Sequence, residues 1–444
     1  QNQMSILDKA SLIQIPSGYK STKLYSLRPS NGDGDFTFAR SSSGTRVNSE
    51  GLIETMSANV PRLDYSGGAS CASLLLEPQR TNLALYSEQF ENAAWSNEGL
   101  SLSANDTTSP DGATNADKII ETADNGVHLI YNTSPITASA TSTASVFYKK
   151  GTRRYFSVKI QIGSNSYTQV FDSEGLTTGG NSSNGLTNVS TKIEDYGNGW
   201  VRASVAGTSA SGTSTYVIIG LSNSLNPTFH PTNYNPTYEG SGTDYGYAYG
   251  AQVEAGSYPT SYIPTTSATV TRTADVCNNS GTSATFNDSE GVLFFEASRL
   301  NKADNSSVIW SISDGSNSNA VSLYYYASGI GVDIFNTLGT KSLLYTMTLT
   351  KQATLNKLAI KYKSNDIALW VNGSEVATNT DAISLSGLNQ LMASYGSGSF
   401  PFYGKTKQLM VFNEALSDEE LSDLTGQANL SFNNLATFYG YTIL

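Results

Sequence analysis

The sequence predicts an all-β protein, with two antiparallel jelly-roll or β-sandwich domains after an extended β-rich N-terminal region. Three observations carry that expectation. Charged residues make up only 14% of the 444-residue chain, well below the roughly 25% of an average soluble protein. Polarity comes instead from Ser, Thr, Asn and Gly, which suit strands and turns. Apolar residues recur with a period of two, and turn dipeptides separate the runs at short spacing, the pattern of meanders folded into sandwiches.

Residues 1–80 mix short strands with Gly/Ser/Asp turns such as "SNGDGD" (30–35). A strand-rich region spans 81–276. In "RYFSVKIQIG" (154–163), Phe156, Val158, Ile160 and Ile162 alternate with Ser157, Lys159 and Gln161, the period of a strand with one wet face. "WVRASVAG" (200–207) and "STYVIIGLS" (214–222) repeat the pattern. Residues 277–290, "CNNSGTSATFNDSE", are small, polar and aperiodic, and so predict a linker. A second sandwich is expected over 291–428. There "KLAIKYKSNDIALWVNGSEVA" (357–377) holds two alternating runs and an Asn372-Gly373 pair suited to a tight I′ hairpin. Ser417 and Glu420 form a capping box for one short helix. The end, 429–444, carries Phe432, Leu435, Phe438, Tyr439 and Tyr441, apolar enough to predict a tail that packs on a neighbour.

The formal net charge is −11, and no basic run exceeds "KK" (149–150) or "RR" (153–154). The overall field therefore disfavours nucleic acid and anionic lipid. No apolar run approaches the eighteen or so residues of a membrane span, so no membrane insertion is expected. The opening "QNQMSILDKASLIQIPSG" lacks a basic segment followed by an apolar one and does not read as a secretory signal. Cys71 and Cys277 sit in no CxxC pair. Two free buried thiols are the favoured reading over one long-range disulfide.

Several stretches carry a resemblance. "GDFTFARSSSGTRVNSEGLIE", followed by "NVPRLDYSGGASCASLLLEPQRTNLALYSEQFENAAW" (59–95), resembles the N-terminal region of bacteriophage virion fibre and adhesin-like proteins. "SPDGATNADKI" (109–119), "SVFYKKGTRRYFSVKI" (145–160), "YGNGWVRASV" (196–205) and "YGAQVEAGSYPTSYIPTTSATVTRTADV" (249–276) look like a carbohydrate-binding jelly roll. "EGVLFFEA", "LWVNG" and "PFYGKTKQLMVFNEALSDEELSDL" are similar to concanavalin A-like (laminin G-like) sandwiches. The resemblance implies a virion structural protein, a head or tail fibre or other appendage, assembled in the host cytoplasm. Its N-terminal region would dock on other virion proteins, its sandwiches would meet host-surface polysaccharide, and it would often be a homotrimer. Rival expectations are a decoration protein that binds no glycan and a polysaccharide depolymerase.

Candidate sites follow. In "GTDYGYAYGAQVEAG", Tyr245, Tyr247 and Tyr249 share one strand face while Gly246, Ala248 and Gly250 share the other. A tyrosine row can stack on pyranose rings, although large rings opposite tiny residues also describe a core strand, and that reading is favoured. Trp95 and Trp200 pose the same choice between glycan stacking and core anchoring. In "SLYYYAS" (322–328), alternation exposes at least one tyrosine, with Tyr324 the candidate contact. No cofactor is required. Calcium is the one the resemblance allows, at Glu91 and Glu254, if the first and last strands of the jelly roll are neighbours. No G-x-S-x-G, P-loop, HExxH or paired CxxC occurs, so no enzyme is expected.

Overall fold

A computed structural model describes residues 3–132, 136–137, 139–210, 214–300 and 308–426; the expected packing tail, 429–444, lies outside them. The fold is all-β. Four large antiparallel sheets pair into two sandwiches. In the first, a six-stranded sheet that includes Thr141–Lys150, Trp200–Thr208 and Tyr245–Ala255 faces a seven-stranded sheet that includes Tyr155–Ile162 and Ser214–Ser222. Among the described residues no helix is long and apolar enough to cross a membrane.

Alternation builds this core as expected. Ala144, Val146 and Tyr148 meet Phe156, Val158 and Ile160, with Val201, Ala203, Val205, Val217, Ile219 and Leu221 completing the layer. Tyr148 stacks on Phe156 across the sheets, ring centroids 4.1 Å apart. Its hydroxyl end occupies the space where a Cβ at Gly246 would stand, 2.2 Å away, so position 246 has no room for a side chain. The other face of Tyr155–Ile162 is not wet. Ser157 and Lys159 are buried, because Lys159 Nζ donates to the Asn233 carbonyl (2.7 Å) under a loop that crosses the sheet. Period-two polarity marks which side faces the partner sheet and is silent about what covers the other.

In the second sandwich, an eight-stranded sheet that includes Glu290–Arg299, Asn356–Lys363 and Gly404–Phe412 faces a five-stranded sheet. Asn372 and Gly373 have φ of 47° and 89°, the left-handed pair that a I′ turn requires, and join Ile367–Val371 to Ser374–Asn379. The capping box also forms. Ser417 N donates to Glu420 Oε2 (2.9 Å) and Glu420 N to Ser417 Oγ (3.3 Å), opening the helix Asp418–Gly426.

Pairing crosses two of the expected boundaries. The extended β-rich N-terminal region is not separate from the second sandwich. Ala10–Gln14 and Ser73–Leu76 both pair with Gly404–Phe412, so they cover what would be an open edge of the eight-stranded sheet. Nor is 277–290 a plain linker. Val276–Asn278 pairs with Phe36–Ala39, and Cys277 and Phe286 are buried in the second core. The short polar residues around them hid two apolar anchors. Both cysteines are free thiols, Cys277 buried and Cys71 half-buried.

Candidate functional site

The N-terminal region is riveted to the exit of the first sandwich by buried charge. Arg62 donates to Glu77 Oε2 (2.6 Å), to Ser261 Oγ (2.8 Å) and to Asp275. Arg272 pairs with the same Glu77 oxygen (3.0 Å), and Arg40 pairs with Asp275 Oδ1 (3.1 Å). All five side chains are at most 3% exposed. Glu254 is the sixth member. It accepts from Thr260 N and Oγ1 and from Gln252 Nε2, and Thr260 Oγ1 accepts in turn from Arg272. Three guanidiniums against three carboxylates leave the network neutral, which burial demands. The two arginines beside Glu77 hold its carboxyl far below the usual range against the penalty of burial.

This network overturns the calcium expectation at Glu254, whose carboxylate is already taken. Glu91 does not reach it. It is exposed and stands by Asp117 instead. Among the described residues, no three His, Cys, Asp or Glu side chains gather as a metal site. The residues therefore do not fit calcium at this pair.

Asp117 is itself informative. It is buried and accepts from Phe90 N and Asn105 N (2.9 Å each). Burial outweighs these bonds and, with Glu91 adjacent, pushes its pKa from 3.8 up to about 7. The folded value lies above the unfolded one, so its contribution to stability is complete below about pH 4 and is lost as pH rises through about 7. The thermal midpoint should rise as pH is lowered from 8 to 5, and Asp117→Asn should flatten that rise. An unchanged pH profile in the variant would contradict this assignment.

The aromatic candidates divide. Trp95 is 5% exposed, lies edge-on to Phe90 and donates Nε1 to the Leu85 and Tyr86 carbonyls. Trp200 is 1% exposed and donates to the Thr108 carbonyl. Tyr249 is equally buried, its hydroxyl donating to Glu88 and Asp111. These three are core anchors and cannot stack on a ligand. Trp200 and Tyr249 do sit on the outer face of the six-stranded sheet, but Ile53 from the N-terminal region and Tyr262 from the segment after Tyr245–Ala255 close over them with Phe147. Tyr245 and Tyr247 remain half-exposed. Their rings meet edge-on, and Lys118 Nζ lies 4.0 Å from the Tyr245 ring centre, so no flat platform is left. Tyr324 is half-exposed on the second sandwich.

The concave feature lies further along the same outer face. A cleft of about 590 Å³ opens where the N-terminal region, the first sandwich and the second sandwich meet, within the range of small-molecule sites, about 300–1,000 Å³. Gly44–Val47 and the turn after Leu63–Asp64 form one wall, the end of Thr187–Asp195 with Tyr196 another, and Ser298, Arg299 and Lys405 the third. Tyr196 is half-exposed and edge-on to Phe147 (4.9 Å). Its cations are already engaged: Lys405 with Asp64 (2.9 Å), Arg46 with Glu54 (2.9 Å), Lys192 with Glu194 (2.7 Å), and Arg202 with the Thr260 carbonyl (2.7 Å). Lys405 and a hydroxyl and amide donor hold the Asp64 carboxyl below its ordinary value despite burial. Such a lining offers many donors and acceptors and little net field, which suits a ligand rich in hydroxyls. The sequence reading missed this site. Its one local signal was the "YGNGW" turn (196–200), which sets Tyr196 at a hairpin end; Lys405 and Asp64 join only through the tertiary fold.

Fold and cleft together define a class: an all-β protein of stacked sandwiches with a ligand-sized, charge-paired cleft at the seam. No family model matches the chain, and neither does any curated relative. Solved structures similar to part of it include the Ruminococcus gnavus IT-sialidase CBM40 bound to α2,3-sialyllactose, 21% identical over 32% of this chain and 84% of that one, with a TM-score of 0.28. The Streptococcus pneumoniae NanB sialidase matches at 19% identity over 32% of this chain and 25% of that one, TM-score 0.28. The binding domain of Paraclostridial Mosquitocidal Protein 1 matches at 13% identity over 38% and 47%, TM-score 0.28.

Proposed function

We propose that this chain is an adhesion protein that binds glycans and performs no chemistry on them, serving as a fibre or appendage of a bacteriophage virion. The observation that carries glycan binding is the seam cleft, sized for a small ligand and lined by paired charges beside the half-exposed Tyr196 ring. The sequence resemblance supports the virion setting, and with it a trimer. Binding without hydrolysis is favoured because Asp64 and Glu77, the buried carboxylates of the cleft, are held charged by Lys405 and by Arg62 with Arg272. A general acid for glycosidic cleavage needs a carboxyl held protonated. Single contacts would be weak, and several copies on one particle would gain avidity of roughly 10²–10⁴.

A glycan array probed with the full chain and with Tyr196→Ala and Glu194→Ala tests this reading. Retention on a defined set of glycans that falls about tenfold in either variant, equivalent to about 1.4 kcal/mol, is expected. Silence across the array would favour pure decoration of the particle, and reducing ends released from a retained polysaccharide would favour a depolymerase.

A further inference from the structure

The second sandwich carries a different surface. On the outer face of the five-stranded sheet, Tyr324 stands opposite Gly331 and Tyr326 opposite Gly329, with Leu344 on the far side of Gly331. A Cβ at Gly331 would lie 2.4 Å from the Tyr324 ring, so the ring lies across the glycine backbone and occupies the place a side chain would take. Tyr326 stands beside it, centroids 6.2 Å apart. The opposite wall is Tyr395, edge-on to both Phe335 (5.6 Å) and Phe400 (5.7 Å).

Three features mark this trough as more than a tolerated surface. Leu344 and Phe400, which flank it, are 61% and 53% exposed, among the most exposed large apolar side chains described. Phe400 holds φ of +51°, an unfavourable conformation for a bulky residue that keeps the ring at the rim. In the floor, Ser322 is buried with no hydrogen-bond partner for its hydroxyl, and it pairs in register with Asp333. Asp333 accepts from Ser342 Oγ (2.6 Å) and Tyr395 Oη (3.4 Å) and has no Lys or Arg partner among the described residues.

We propose that this trough is a second saccharide site, separate from the seam cleft and selective for neutral sugars. Pyranose faces lie on Tyr324 and Tyr326, ring hydroxyls donate to Asp333, and the uncompensated carboxylate repels uronates and other acidic glycans. This inference does not depend on the cleft. The seam could fail to bind and the trough would stand.

The test is a printed panel of neutral and acidic glycans, including maltohexaose, laminarihexaose, cellohexaose and polygalacturonate, probed with the full chain and with Tyr324→Ala, Asp333→Asn and Phe400→Ala. Phe400 is exposed and its replacement spares the core, so a shared melting temperature certifies the fold. Expected is retention of neutral glycans that drops about tenfold in Tyr324→Ala and in Phe400→Ala, with Asp333→Asn weakening neutral binding and relaxing the exclusion of polygalacturonate. Lys20→Ala, at an exposed position in neither the cleft nor the trough, should leave this set unchanged. The proposal is overturned if no neutral glycan loses retention in Tyr324→Ala, if Lys20→Ala lowers the same signals equally, or if the trough variants affect only capture of protein.

Discussion

Replacing Arg62 with Ala is expected to cost about 3–5 kcal/mol of stability, the usual penalty for removing one partner of a buried ion pair. Arg62 is fully buried and bonds Glu77, Asp275, Ser261 Oγ and the Thr45 carbonyl at once. Its loss leaves two buried carboxylates facing only Arg272 and Arg40. A typical domain holds about 5–15 kcal/mol in total, so the variant should lose a large share of its margin. It should also open the seam, because Glu77 and Ser261 line the cleft. Urea denaturation of the variant reads the effect directly, and a loss under about 1 kcal/mol would mean that the network is not held as described. Arg62→Lys, which keeps the charge and drops the fork, should fall between.

Tyr148→Ala should cost about as much, roughly 3–5 kcal/mol, by leaving a ring-sized cavity between the sheets of the first sandwich. Tyr148 is 0% exposed, stacks on Phe156 and donates to the Arg153 carbonyl (2.8 Å). Gly246 is its counterpart. Ala there would force the Tyr148 hydroxyl away from its place, and overpacking of that kind costs about 1–3 kcal/mol. If Gly246→Ala were neutral in thermal denaturation while Tyr148→Ala was not, the explanation of the glycine would be wrong.

These residues show how far the sequence could be read. The glycine and tyrosine alternation at 245–250 was legible as two strand faces, because side-chain direction has a period of two. Gly246 and Ala248 turned out to face the core, beneath Tyr148, and the tyrosines to face outward. Whether an outward ring meets solvent depends on what folds over the sheet. Ile53, far away in the chain, joins Tyr262, just past the end of the same strand, in burying Tyr249 and Trp200, and the strand's own pattern reports neither. Local devices, by contrast, were readable in full. Asn372-Gly373 and Ser417 with Glu420 need only a few neighbours to form. The charge network was half legible. Glu77 follows the apolar run Leu74, Leu75 and Leu76, an odd place for a solvated carboxylate. Its partners at 62, 272 and 275 lie too far along the chain to be matched without the fold. The seam cleft is the extreme case, since three regions must meet before Tyr196, Asp64 and Lys405 share a space.

The most direct test of glycan binding at the seam is equilibrium titration of the full chain and of Tyr196→Ala with the glycan the array retains best. Saturable binding, with a dissociation constant about tenfold higher in the variant, is the predicted result. Equal affinity in the two proteins, or no saturation by either, would contradict it.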